Sequence, residues 1–196
     1  MTKAPAADAL SRLHEQTSAR FSRTLAAVGQ PPGCGRGCAD CCVDDLSVWQ
    51  VEADLIQAWF VEQTAADANR SLQVGPTGAC AFLRDGQCQI YPARPYVCRS
   101  QGAVLRWHED DGQQVSERRD TCPLHLQDVA LDALPEAALF DIGPAESTLI
   151  ALATNELASR GGRGLPQRVV LRQLADSLAK GAPGVGGDDQ RSESAG

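Results

Sequence analysis

An α+β fold is predicted: a small domain of one or two β-hairpins and cysteine-rich loops, flanked by helices. Three observations predict it. Helical apolar periodicity stands towards both ends of the chain, short strand-like runs around Asp-Gly turns stand between them, and all eight cysteines fall in that middle stretch. Four cysteines crowd nine residues as Cys34-x3-Cys38-x2-Cys41-Cys42, and Cys80, Cys88, Cys98 and Cys122 follow singly. Thiols grouped in this way usually hold a soft metal or an iron–sulfur centre, so the predicted domain is metal-stabilised.

Residues 8–28 read as an amphipathic helix, because Leu10, Leu13, Phe21, Leu25 and Val28 recur at steps suited to one helical face and Gly29 is a natural stop. Gln30-Pro31-Pro32-Gly33 breaks the chain. In Gly33-Cys34-Gly35-Arg36-Gly37-Cys38, glycine alternates with other residues, which lets backbone amides fold inward and point at thiolate sulfurs. A second helix carries the stripe Val51, Leu55, Ile56, Trp59 and Phe60, with Ser47 and Gln50 as a capping box. It is expected to pack on the cysteine loop, with Trp49 and Trp59 in the core.

Residues 80–91 read as a hairpin turning at Asp85-Gly86. A two-residue turn pairs Leu83 with Cys88 and sends the Cys80 and Cys88 side chains to opposite faces. A three-residue loop pairs Arg84 with Cys88 and puts both sulfurs on one face. If both bind one centre, the longer loop or a bulge is expected. A second hairpin is expected from Ala103 to Arg118, turning at Asp111-Gly112. Beyond Cys122-Pro123 the chain reads as helical. Pro144 opens a helix with Leu149, Leu152 and Leu157, and Pro166 opens another with Val170, Leu174 and Leu178. The resulting division is 1–29 as N-terminal helix, 30–125 as cysteine-cluster domain, 126–180 as helical extension and 181–196 as a disordered tail.

The net charge of −7 argues against a protein that tracks nucleic-acid phosphates. The start of the chain lacks the apolar segment of a signal peptide, and no stretch has the length of a membrane helix, so a cytoplasmic protein with reduced thiols is expected. Disulfides are disfavoured by that compartment, and by the small strained rings they would close within the loop.

A four-sulfur zinc site needs a tetrahedron of thiolates, and binding the ion drives their deprotonation. Cys34, Cys38 and Cys41 share one loop, and Cys98 is the first choice for a distant fourth ligand. Adjacent Cys41 and Cys42 reach one centre only through a tight turn; otherwise they serve two centres, or one is spare. All eight cysteines, Cys34, Cys38, Cys41, Cys42, Cys80, Cys88, Cys98 and Cys122, are candidate metal ligands. They would fill two sites, one cluster with spare thiols, or a dinuclear site. His125 is read as a surface histidine in preference to a ligand. Arg94 and Arg99 flank Cys98, where they would offset thiolate charge. Asp40, Asp44 and Asp45 are read as solvated or as balancing Arg36. Sulfur-dominated sites suit zinc or iron and disfavour magnesium or calcium.

The cysteine spacing, followed by Cys80-Ala-Phe-Leu and by Cys88-Gln-Ile-Tyr-Pro-Ala-Arg-Pro-Tyr-Val-Cys98-Arg99, resembles the YkgJ-type cysteine-cluster (CxxCxxCC) family over roughly residues 30–125. The resemblance implies a domain that chelates zinc or iron. The first spacing is x3 here, where the family name suggests x2. The cluster is also similar to that of flagellin lysine N-methylases, for which an iron–sulfur centre is implied, but no cofactor-binding fingerprint for methyl transfer is found. The leading expectation is a cytoplasmic protein that binds zinc, iron or an iron–sulfur cluster. The rivals are an iron–sulfur enzyme of redox or methyl-transfer type and a thiol redox sensor. No catalytic constellation stands out beyond the cysteines.

Overall fold

The computed structural model describes residues 5–29, 37–44 and 46–181. Cys34, Arg36 and Asp45 lie outside the described residues, as does the tail expected to be disordered beyond Gly181.

The first helix, α1 (Pro5–Val28), buries Leu10, Leu13, His14, Thr17 and Thr24 along one side. It ends at Gly29, whose φ of +74° is open to glycine without strain. The second helix, α2 (Gln50–Ala66), lies between two apolar clusters. Val51 joins Leu10, Leu13, Tyr96, Phe140 and Leu149, and Ala53, Ile56 and Phe60 join Phe82, Ile90, Leu174 and Leu178. Cys80 sits within the second of these groups, and Cys42 and Cys88 pack against it. The cysteine-bearing segments thus rest on the same apolar floor that α2 helps to build. Trp49 and Trp59 are half-buried rather than core, and each lies under a guanidinium, Arg168 over Trp49 at 4.8 Å and Arg70 over Trp59 at 5.1 Å.

Two strands outside the expected hairpins reorganise the ends of the chain. Strand β1 (Ser47–Trp49) pairs antiparallel with β7 (Arg168–Val170), Val48 opposite Val169. The capping box expected at Ser47 is therefore not formed. Ser47 opens a strand, and α2 begins after Trp49, whose backbone N–H donates to Glu52 Oε2 at 3.4 Å. Likewise Val170 ends a strand, and the last helix, α5, covers only Leu171–Ala179.

The first hairpin, β2 (Leu83–Arg84) with β3 (Gln87–Cys88), takes the two-residue turn, with Leu83 opposite Cys88. Asp85 and Gly86 both have positive φ, 49° and 71°, as a tight hairpin turn of this length requires. The longer loop is thus not adopted. The face argument fails because its premise does not hold: the ladder starts at Leu83, and Cys80 precedes it in a turn closed by Leu83 N–H to Cys80 O at 2.9 Å. Strand alternation does not govern a residue outside the ladder.

The second hairpin, β4 (Val104–Asp110) with β5 (Val115–Asp120), forms as expected around Asp111 and Gly112. Strand β6 (Leu139–Asp141) joins β4 in parallel, within a stretch expected to be helical. Helix α4 (Gly143–Ser159) follows, opening at Pro144 as expected. Between β3 and β4 the chain makes a short 3-10 turn at Tyr91–Ala93 and a five-residue helix, α3 (Tyr96–Ser100), that carries Cys98. The fold is α+β.

Candidate metal centre

The turn that ends the cysteine-rich loop is closed by Cys42 N–H to Ala39 O at 2.9 Å. It brings the adjacent Cys41 and Cys42 thiols close enough that each shifts the other's pKa. Their interaction raises the Cys41 pKa and lowers that of Cys42. Two neighbouring thiols coupled in this way titrate as a pair.

Backbone pairing joins this turn to the next cysteine. Cys80 N–H donates to Cys42 O at 2.8 Å, and Val43 forms an isolated antiparallel bridge with Ala79. Cys80 is buried, and burial raises its thiol pKa, partly opposed by backbone hydrogen bonds from Phe82 and Leu83. Cys88 is raised by burial as well and receives a backbone hydrogen bond from Ile90. Amides aimed at sulfur favour the thiolate. Those expected in the glycine-rich loop fall largely outside the described residues, and the hairpin cysteines Cys80 and Cys88 have amides of this kind.

Cys98 completes the group. Burial pushes its thiol up to about 12, and the neighbouring Cys80, Cys88 and Cys41 add to the shift. Cys42 in turn feels Cys80, Cys98 and Cys88. Five cysteines from three segments, Cys41, Cys42, Cys80, Cys88 and Cys98, are thus electrostatically coupled. Among the described residues, no three His, Cys, Asp or Glu side chains stand close enough together to form a ready-made metal site. The donor set nonetheless fits a soft cation: it is all sulfur, partly buried and supplied with amide donors, and its thiols resist ionising together without a compensating charge.

The remaining described cysteines are Cys38 and Cys122. The Cys38 thiol donates to Asp40 Oδ2 at 3.4 Å. Cys122 lines a cavity of about 220 Å³ together with Cys41, Asp40, Asp120 and Thr121. His125 is buried, only 2% exposed, which corrects its reading as a surface residue; its N–H closes a turn on Cys122 O at 2.8 Å.

Positive charge reaches the sulfurs from three arginines. Arg94 lies over the Tyr91 ring at 3.9 Å, and its charge favours the Cys88 thiolate. Arg99 is held to the Pro92 and Arg94 carbonyls at 2.8 Å each, and its charge couples to that of Cys98. Arg172 of α5 couples to Cys80 and was not expected. It pairs with Asp44, whose side chain is 15% exposed, so Asp44 is not a solvated acid.

A second unexpected residue supports the centre from behind. Glu52 is buried at 3% exposure and accepts the Tyr96 N–H at 2.8 Å, at the start of the helix that carries Cys98. His14 Nε2 lies 3.5 Å from the same Glu52 oxygen. A glutamate three residues after the last strand residue is a helix-start signal, but its link to Tyr96 has no local trace in the sequence.

Among the described residues, no helix is long and apolar enough to cross a membrane. Neither the curated proteins nor the solved structures compared with the chain include a match. Residues 33–123 match the model of one family, and this span contains every cysteine of the chain. Over these residues, a little under half of its length, the chain is similar to the CxxCxxCC family, whose description reads "putative zinc- or iron-chelating domain".

Proposed function

We propose that this chain holds zinc or iron through the thiolates of Cys42, Cys80, Cys88 and Cys98, with Cys41 beside them and Cys34 and Cys38 supplied by the same loop. The observation that carries this reading is the backbone bond that joins the Cys41–Cys42 turn to Cys80, Cys80 N–H to Cys42 O at 2.8 Å, inside the span that matches a zinc- or iron-chelating domain. When bound, the ion supplies the positive charge that lets these thiols ionise together. The chain supplies the rest. The turn at 39–42 presents two sulfurs, the amides of Phe82, Leu83 and Ile90 stabilise thiolates, and Arg94 and Arg99 offset their negative charge.

Because the thiols converge without forming a closed triad, the side chains rotate onto the ion as it binds, and binding is coupled to the last step of folding. The metal-binding domain spans 30–125, the flanking helices cover it, and the working compartment is the reducing cytoplasm. An iron–sulfur cluster with redox or methyl-transfer chemistry is the second reading, favoured by the cavity beside Cys41 and Cys122. A thiol redox sensor is the third, favoured by the adjacent Cys41–Cys42 pair and the coupling of its thiols.

Oxygen-free purification followed by metal analysis and an absorption spectrum tests all three. Stoichiometric zinc in a colourless protein supports a zinc centre, and a brown protein with sulfide and absorbance near ~400 nm supports a cluster. A folded, metal-free protein that takes up neither zinc nor iron when offered them overturns the proposal. In the same assay Cys98→Ser and Cys38→Ser are expected to lose metal and stability together.

A further inference from the structure

Resting on the metal reading above, we infer that Arg172, which lies outside the family-matched residues 33–123, is a positioning residue of the metal centre. Its guanidinium holds the Cys42 and Cys80 segments in register. Helix α5 delivers this side chain to the junction of the two segments. Arg172 Nε donates to both carboxylate oxygens of Asp44, each at 2.8 Å. Its Nη1 donates to Gly75 O at 3.0 Å, and its Nη2 to Pro76 O and Ala79 O, each at 2.9 Å. One side chain thus gathers three carbonyls of the loop entering Cys80 and the carboxylate two residues after Cys42.

The acceptors are themselves linked. Gly78 N–H donates to Asp44 Oδ2 at 3.2 Å, Val43 bridges Ala79, and Cys80 N–H bonds Cys42 O. Helix α5 is anchored independently of this hub: Leu171, Leu174, Ala175 and Leu178 are buried, and Leu171 N–H bonds Leu46 O at 2.9 Å. Without Arg172, three carbonyls and a carboxylate at the hub lose their shared donor. The links between the Cys42 and Cys80 segments named above then lose their largest member and keep the Val43–Ala79 bridge, the Cys80–Cys42 bond and the Gly78–Asp44 bond. Only a planar fork with several N–H groups serves acceptors arranged around it in this way, and a lysine ammonium does not. The metal-binding unit therefore includes α5, some fifty residues beyond the end of the matched span.

The test uses the full chain, reduced and oxygen-free, with zinc(II) as probe and a chromophoric chelator as competitor. Arg172→Ala is expected to weaken zinc binding by about 10- to 100-fold, the range typical when a partner that orients metal ligands is lost. Arg172→Lys keeps the charge without the fork and is expected to remain at least about 10-fold weaker than wild type. Leu149→Ala, in the apolar cluster under α1, serves as a control for lost stability, and its zinc affinity is expected to change by less than ~3-fold although its metal-free form is destabilised. Wild-type affinity in either Arg172 variant overturns the inference. So does a loss of affinity in Leu149→Ala as large as that in Arg172→Ala. A wild-type chain that takes up neither zinc nor, when it is offered in place of zinc, iron(II) overturns the metal reading itself, and with it this inference, a result distinct from the other two.

Discussion

Gly75 is the position at which one added methyl group tests the geometry of the cysteine segments most directly. A Cβ built there falls 2.7 Å from Cys80 O and 2.8 Å from Leu83 O, where 3.4 Å is the lower edge of ordinary contact. Two backbone carbonyls must therefore retreat by about 0.6–0.7 Å, and both belong to the turn that positions Cys80. That retreat strains Gly75 N–H to Ala81 O, now 2.8 Å, and the contact from Gly75 O to Arg172. Overpacking of this kind costs about 1–3 kcal/mol, and a weakened hydrogen bond adds up to about 1 kcal/mol. A loss of about 2–3 kcal/mol is therefore expected for Gly75→Ala. Urea unfolding of the reduced, metal-free protein reads this as a fall of about 1 M in midpoint, for a slope of ~2 kcal/mol/M. Zinc affinity is expected to fall as well, because the displaced turn carries a proposed ligand. A midpoint within ~0.2 M of wild type would refute the close approach and the packing argument built on it.

Two further perturbations address the residues behind the centre. Glu52→Ala leaves the Tyr96 N–H buried without its acceptor, so a loss of about 1–3 kcal/mol is expected in urea unfolding, largely restored in Glu52→Gln. Equal stability of Glu52→Ala and wild type would show that the contact contributes nothing. The third prediction concerns pH. Burial raises Cys98 from an ordinary 9.0 to about 12, so the folded state holds that proton more tightly than the unfolded chain does. The resulting stability is intact below about pH 9 and declines as pH rises from there towards 12. Reduced metal-free wild type should therefore lose more of its urea midpoint between about pH 8 and about pH 10 than Cys98→Ser does, and parallel curves would remove Cys98 as the cause.

Helix α1 was readable because it keeps one apolar face over several turns and stops at Gly29, and α2 and α4 because apolar residues recur along them at helical steps, with Pro144 marking the start of α4. Both hairpins were readable from Asp-Gly pairs at their turns. Strands β1, β6 and β7 escaped notice because three residues hold too little pattern, and each finds its partner only across long stretches of chain. Of the two turns weighed for the first hairpin, the two-residue one that pairs Leu83 with Cys88 forms, and the face of Cys80 is not set by either because the ladder is too short to include it.

The cysteines and their spacing were enough, by themselves, to indicate sulfur-based metal chemistry, since thiolate softness is a property of the side chain wherever it lies. Which thiols face one another was decided by the tertiary structure. The turn at 39–42, the bond from Cys80 to Cys42 and the short helix under Cys98 set that grouping, and Asp44, Glu52 and Arg172 hold these segments through contacts between residues far apart in the chain. Residue types and local periodicity are written along the sequence, whereas a carboxylate meets a guanidinium 128 positions away only because buried apolar surface has first folded the chain back on itself.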